Sequence, residues 1–437
     1  MVFQQPESPT PVSDPMADLN PSPPALVAEA HDIPFVSKKF ILFYTLMSFA
    51  ANFVILMPTL FSIAYKVQLI NPDSKESTLG LVAGVGALVT IITSPLFGQL
   101  TDRTRTRWGR RRPWILFGLV ACGLAATVIA LATTVPVVIG AYVIYVAGSA
   151  AIINAVSPVI ADTVPDAQRG KIGGLVGVSA QFGGVFGSLG GSLLVGNLTL
   201  MFLAPVLVAA LIFLAYVFVV PDAPAPANAA KVPMSQVLQN MVFNPIKYPN
   251  FALVWFGRFF LFGGINFYST YQLYFLLDRL GFTPELAGQR LALIGGLGIL
   301  VASTFAVVGG ILSDRLGRRK IFVYLGIVLV AGALLLAAFA QNFASYSLAS
   351  LMLVAGAGVF GSVDIALASD VVPDKAAAGR WMSIIGVSGY VPAAAAPLVA
   401  PLILATGEGS NYLALFIFGA VITLGALITT WRVRGVR

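Results

Sequence analysis

The sequence predicts an all-α membrane protein of twelve transmembrane helices arranged as two pseudo-symmetric six-helix bundles. Three observations carry this. The 437 residues are 58% hydrophobic and only 10% charged, against about 45–50% and about 25% in soluble domains, which excludes an ordinary soluble globular protein. Nine long stretches contain no Asp, Glu, Lys or Arg. The second half of the chain repeats the order of those stretches and several short motifs of the first.

The uncharged stretches are Phe40 to Tyr65, Ser77 to Thr101, Pro113 to Ala161, Ile172 to Pro221, Phe259 to Leu277, Leu291 to Ser313, Ile321 to Val363, Trp381 to Gly407 and Tyr412 to Trp431. A membrane helix takes about 20 residues, so those beginning at Pro113, Ile172 and Ile321 each hold two helices, which makes twelve. A turn inside lipid would strand backbone N–H and C=O groups. The internal breaks therefore belong at the bilayer surface, near Thr133 to Pro136, near Gly196 to Thr199, and at Gln341 and Asn342.

Residues 38–221 are expected to form the first bundle and 249–437 the second, with a Pro/Ala-rich cytoplasmic linker over 222–248. Residues 1–37 hold eight of the 27 prolines, five acids and no Lys or Arg. Such a composition cannot bury enough apolar surface to offset the entropy of ordering, and a disordered cytoplasmic tail is expected. It lacks the basic start and apolar core of a secretory signal.

The net charge of +8 is explained by its distribution. If the N-terminus is cytoplasmic, 21 of the 26 Lys and Arg residues fall on the inner side, Lys66, Lys75, Arg279 and Arg290 fall on the outer side, and Arg258 lies within a span. This matches the positive-inside rule, and it predicts a multi-pass protein of the plasma (inner) membrane with both termini cytoplasmic. The basic residues orient the chain and require no nucleic acid. A lone Cys122 and a lone His31 outside the spans offer neither a disulfide nor a Cys/His metal site. No phosphate-cradling Gly-rich loop with an adjoining Lys-Ser/Thr is present, so ATP drive is not expected. No cofactor, metal or enzymatic constellation is expected either.

The repeat is specific. Gly98 to Arg103 (Gly-Gln-Leu-Thr-Asp-Arg) answers Gly310 to Arg315 (Gly-Ile-Leu-Ser-Asp-Arg) at an offset of 212; Gly109-Arg110-Arg111 answers Gly317-Arg318-Arg319 at 208, and Ala161 to Asp166 answers Ser369 to Asp374 at the same 208. Parallel repeats about an axis along the membrane normal are a recurrent transporter plan.

On these motifs residues 38–437 resemble the major facilitator superfamily. The long first loop, Thr101 through Trp114 with six arginines from Arg103 to Arg112, resembles the branch of sucrose–proton symporters and glycoside-pentoside-hexuronide porters. The resemblance implies a monomeric, proton-coupled symporter of a sugar or glycoside working by alternating access. A same-fold alternative is a proton-coupled exporter of drugs or metabolites. A non-transporting membrane binding or assembly protein is a third reading, against which the paired loop motifs speak.

By the same resemblance, Asp102 would meet the helix start near Gly379 to Trp381, and Asp314 that near Gly170 to Ile172. The helix dipole would add about 0.3–1 kcal/mol to each contact. Arg103, Arg111, Asp162 and Arg169, with Arg315, Asp370 and Arg380 in the second half, would extend these into a cytoplasmic gate. Gly98 and Gly310 would let the helices approach closely.

Ionisable groups inside spans are costly, about 2.5–3.5 kcal/mol even on lenient scales. Arg258 and Asp364 are the exceptions. Counted from the cytoplasmic ends of the seventh and tenth helices they reach similar depth, so an ion pair is expected. A carboxylate held ionised by a guanidinium until the pairing is undone is what proton coupling requires; a static packing pair is the alternative. The resembling sucrose porters carry an acid in the fourth helix, where this chain has none before Asp162, and the repeat places Val156 opposite Asp364. Sodium-coupled relatives carry acids in the second and fourth helices, and Ser77 to Thr101 contains none.

A sugar site needs amides and aromatic faces in a wet cavity, because unpaired buried polar groups cost free energy. The resemblance assigns the cavity to the first, fourth, seventh and tenth helices. The candidates are Asn52, Asn154, Gln181, Asn266, Tyr271 and Gln272.

Overall fold

The computed structural model describes residues 35–222, 224, 242–407 and 410–434. Among them twelve helices are long and apolar enough to cross a membrane. In chain order they are α1 Lys38–Ile70, α2 Pro72–Arg103, α3 Arg112–Leu131, α4 Val135–Thr163, α5 Asp166–Leu193 and α6 Leu198–Val219, then α7 Pro249–Arg279, α8 Pro284–Leu316, α9 Arg319–Ala338, α10 Phe343–Asp370, α11 Arg380–Leu404 and α12 Tyr412–Arg432. Of the expected tail only residues 35–37 are described, and of the linker only 222, 224 and 242–248; the rest of both lies outside the described residues.

The three internal breaks fall where turn residues occur. The side chains of Asn197 and Asn342 accept from Leu200 N at 3.0 Å and Ser345 N at 2.9 Å, starting α6 and α10. Asn411 does the same for α12 through Ala414 N. These caps satisfy amides that helix geometry leaves without partners. Because successive spans reverse direction, the arginine-rich connections share one side of the molecule, here the basic side. Short connections such as residues 132–134 and 339–342 lie on the far side.

The repeat is visible in the backbone. Gly118 faces Gly148 across α3 and α4, where a Cβ would lie 2.5 Å from the Gly148 carbonyl; 208 residues on, Gly326 faces Gly356 across α9 and α10 at 2.9 Å. Small residues permit such close crossings without the hydrophobic drive that water supplies. The glycines of the echoed Gly-Arg-Arg motif also coincide. Gly109 has φ 104° and Gly317 has φ 59°, left-handed turns that glycine adopts at no steric cost.

Prolines within the spans free carbonyls, since each removes the N–H that would bond four residues back. Pro58 opens α1 into a π-helical turn, Pro58–Ser62, and the released Val54 carbonyl accepts the Tyr145 hydroxyl at 2.7 Å. Pro401 likewise releases the Pro397 carbonyl, which the Tyr271 hydroxyl approaches at 3.2 Å. The buried tyrosines thus complete the backbone of helices that proline interrupts.

Candidate transport cavity

The two six-helix halves are joined at the far side. Lys75 at the start of α2 pairs with Asp278 at the end of α7, and the Tyr412 hydroxyl donates to the second Asp278 oxygen at 2.6 Å. Ser410 donates to Glu76 at 2.6 Å, Tyr271 lies 3.2 Å from the Glu76 carbonyl, and Tyr274 donates to the Ala64 carbonyl at 2.8 Å. Glycines bring the helices into contact beneath these bonds. A Cβ at Gly80 would lie 2.3 Å from the Pro397 carbonyl, and one at Gly288 would lie 2.4 Å from Ser192 Cβ.

The basic side is splayed. A Cβ added at Gly98, Gly170, Gly174 or Gly177 would meet nothing within 4 Å among the described residues. Asp102 and Asp314 are exposed, and neither has a hydrogen bond or ion pair among the described residues. The contacts expected from Asp102 to the start of α11 and from Asp314 to the start of α5 are therefore not made in this state. The reason is geometric: halves clamped at the far side separate at the basic side.

Arg111, Asp162, Arg169 and Asp370 bond within their own halves instead. Arg110 and Arg111 pair with Asp162, and Arg319 pairs with Asp370, so Arg111–Asp162 and Arg319–Asp370 are one interaction repeated at the offset of 208. Burial, with the charge of Arg110 beside it, holds the Arg111 guanidinium below its usual range. Arg169 pairs with Asp166 and donates to the Val164 and Ala161 carbonyls at 2.9 and 3.0 Å. Arg380 reaches the Val242 carbonyl at 3.5 Å and lies over Trp381. Arg103 and Arg315 are exposed on the splayed side, and Gly310 faces Ser362 of its own half at 3.8 Å.

Between the halves lie two cavity lobes of about 180 and 200 Å³, both lined by Leu60 in the π-helical turn of α1. Each alone falls below the usual lower bound of about 300 Å³ for a small-molecule pocket. The first lobe presents Thr59, Thr90, Tyr142, Asn266, Ser269 and Thr270. The second presents Gln181, Ser188, Tyr268, Gln272 and Ser350. Gln181 comes from α5 and Gln272 from α7, and among the described residues neither amide has a hydrogen-bond partner.

The sequence candidates divide accordingly. Gln181, Asn266 and Gln272 line the lobes, whereas Asn52, Asn154 and Tyr271 do not. Asn52 and Asn154 turn their amides back to the Ser48 and Ala150 carbonyls, both at 2.8 Å, and Tyr271 belongs to the far-side closure. Asn266 makes the same backward bond to Phe262 at 2.7 Å, which leaves its carbonyl oxygen for the lobe. Sequence reasoning missed the hydroxyls of Thr59, Ser269 and Thr270, because such residues are common in helices. It also missed the far-side contacts, although Lys75 is one of few basic residues on that side.

Arg258 and Asp364 form the expected ion pair, joining α7 to α10, with side chains 12% and 8% exposed. Arg258 Nε also donates to Ser388 of α11 at 2.9 Å, and its guanidinium lies 5.4 Å from the Phe262 ring. Phe262 in turn meets Phe360 edge to face. One carboxylate oxygen of Asp364 is buried without a hydrogen-bond partner among the described residues. Asn266 is two helical turns, about 12 Å, beyond Arg258 along α7.

A family model described as Major Facilitator Superfamily matches residues 40–306 and 293–437. The chain belongs to the Major Facilitator Superfamily. Solved members share its architecture: a D-xylose–proton symporter superposes with TM-score 0.68 at 19% identity, covering 90% of this chain and 97% of that one, and a mutant of the nucleoside transporter NupG with TM-score 0.73 at 13% identity, covering 91% and 100%. At such identities the likeness concerns the superfamily fold. Among sequence relatives, Multidrug resistance protein 2 of Bacillus subtilis is 24% identical over 300 residues, 65% of this chain and 71% of its own length. Lactose permease of Lactobacillus helveticus is 41% identical over 54 residues, 12% of this chain and 8% of the permease. The inner membrane symporter YicJ of Escherichia coli is 44% identical over 46 residues, 10% of each chain. The chain thus spans only a tenth or less of the two relatives named for symport and lactose. The superfamily match makes the chain a transporter and not an enzyme.

Proposed function

We propose that the protein is a proton-coupled symporter of a sugar or glycoside, of the sucrose and glycoside-pentoside-hexuronide branch, working as a monomer by alternating access in the plasma (inner) membrane. The basic side is then cytoplasmic, both termini lie there, and the described state is inward-open. The observation that carries this reading is the facing pair Gln181 and Gln272. Two amides from opposite halves, without hydrogen-bond partners among the described residues, line one lobe, where hydroxyl groups of a solute would satisfy them and draw the halves together. The long first loop and the short match to a lactose permease support the sugar class, and the short match to an inner membrane symporter supports symport.

In this reading Asp364 carries the proton. Its unpartnered oxygen accepts a proton, the pairing with Arg258 weakens, and Arg258 keeps its bond to Ser388 while α7 and α10 shift relative to each other. Asn266, on the same helix, transmits that shift to the lobes. When the halves close at the basic side, Asp102 and Asp314 meet the opposing helix starts, with Gly98, Arg103, Gly310 and Arg315 at the same interface.

Uptake into proteoliposomes under an imposed pH gradient, screened over disaccharides and glycosides, tests the proposal. Accumulation that collapses when the gradient is dissipated is expected; no accumulation of any of these solutes would overturn it. The longer alignment with a multidrug resistance protein favours a second reading, proton-coupled export, in which expression would lower sensitivity to apolar cations.

A further inference from the structure

On the surface of the first six spans, α3 and α6 leave a groove of about 650 Å³. Its walls are apolar, among them Leu116 and Val120 of α3 and Leu214 and Phe218 of α6, and its mouth on the basic side is formed by Trp108 and Arg112. Arg112 and Val120 are eight residues apart, about 12 Å along a helix. That is close to the depth of one leaflet, half of a hydrocarbon core of about 30 Å.

Arg110 and Arg111 share the single carboxylate of Asp162; Asp222 accepts from the backbone N–H groups of Arg111 and Arg112 at 2.8 and 3.0 Å, and no carboxylate pairs with the Arg112 guanidinium among the described residues. Its Nη2 donates to the Val220 carbonyl at 2.9 Å, and its Nε is buried without a partner. The equivalent residue of the second half, Lys320, donates to the Val433 carbonyl at 2.6 Å. The carbonyl contact is therefore served by either cation, and a guanidinium without a side-chain ion pair among the described residues, set above an apolar groove, suits an anion with an apolar tail. Trp108 is 65% exposed at the same mouth, the position that amphipathic indoles take at lipid headgroups.

We infer that this groove is a site for one anionic phospholipid of the leaflet on the basic side, its phosphate held by Arg112 and Trp108 and one acyl chain lying between α3 and α6. Basic pockets between transmembrane helices suit such headgroups. The site is remote from the cavity lobes and stands independently of what the protein transports.

Native mass spectrometry of the full chain, titrated with phosphatidylglycerol and separately with phosphatidylcholine of the same acyl chains, tests this. One phosphatidylglycerol is expected to be retained with about fivefold preference, the equivalent of about 1 kcal/mol for one basic residue. Arg112→Gln keeps an amide donor and removes the charge; Ala210→Trp fills the groove from its lipid-facing wall. The preference should vanish in both. Equal retention of the two lipids by the natural protein, or an unchanged preference in either variant, overturns the site. If Arg112→Gln fails to fold, Ala210→Trp decides alone.

Discussion

Asp278 at the end of α7 pairs with Lys75 at the start of α2, and this contact ties the two halves together on the side away from the arginine-rich loops. The side chains are 27% and 14% exposed, so the pair is partly screened and contributes about 0–1 kcal/mol. In the alternating-access reading its value lies in crossing between the two halves.

Removing it should therefore change the balance of states more than the stability of either half. Asp278→Asn should raise the population open at the far side by up to about fivefold, the equivalent of about 1 kcal/mol. Faster labelling of a cysteine placed at Ala83, which lines the first lobe, by a reagent added on the far side would register it. Unchanged labelling would make the pair ornamental.

The buried pair Arg258 and Asp364 should behave differently from a surface bridge. Arg258→Met leaves an unpaired buried carboxylate and should cost about 3–5 kcal/mol, with much of the loss recovered by adding Asp364→Asn. Thermal unfolding in detergent checks this. Asp364→Asn alone should abolish uphill accumulation while equilibrative exchange persists; intact pH-driven uptake would remove Asp364 from the coupling role.

Asp102 and Asp314 make no hydrogen bond or ion pair among the described residues in this state, so their loss should destabilise it little. Asp102→Ala should enrich the state open at the basic side by about two- to fivefold, corresponding to about 0.3–1 kcal/mol of helix-end interaction lost from the alternative state. Cysteine accessibility at residue 177 measures the shift. No shift would leave the aspartate a topological signal.

The unpartnered amides that line the second lobe should matter, and the self-satisfied amides outside the lobes should not. Gln272→Ala or Gln181→Ala should weaken solute binding by about 10- to 100-fold, as expected when about 1–3 kcal/mol of hydrogen bonding to solute is lost. Asn154→Ala should leave affinity within about twofold. Solute titration by tryptophan fluorescence checks both, with expression level as the control for folding.

The spans, their breaks and the repeat were legible because hydropathy and caps act locally: Asn197 and Asn342 mark helix starts by their own side-chain bonds. The Arg258–Asp364 pair was legible because a span tolerates so few charges that the exceptions must meet. The conformational state was not. Asp102 reads the same in the sequence whether it meets a helix start or solvent, since the two states differ by a few kcal/mol spread over many contacts. The cavity lining was legible in part, because Asn52 and Gln181 look equally polar on paper, whereas Gln181 lines a lobe and Asn52 does not, its amide folded back onto Ser48.

The central claim is that the far-side and basic-side openings alternate. Double electron–electron resonance between spin labels tests it most directly, with Asp73 and Glu285 labelled as cysteines on the far side and Asp166 and Arg318 on the basic side, Cys122 being buried. Solute and acidic pH should lengthen one distance as they shorten the other. Two distances that stay fixed, or that move together, would contradict the account.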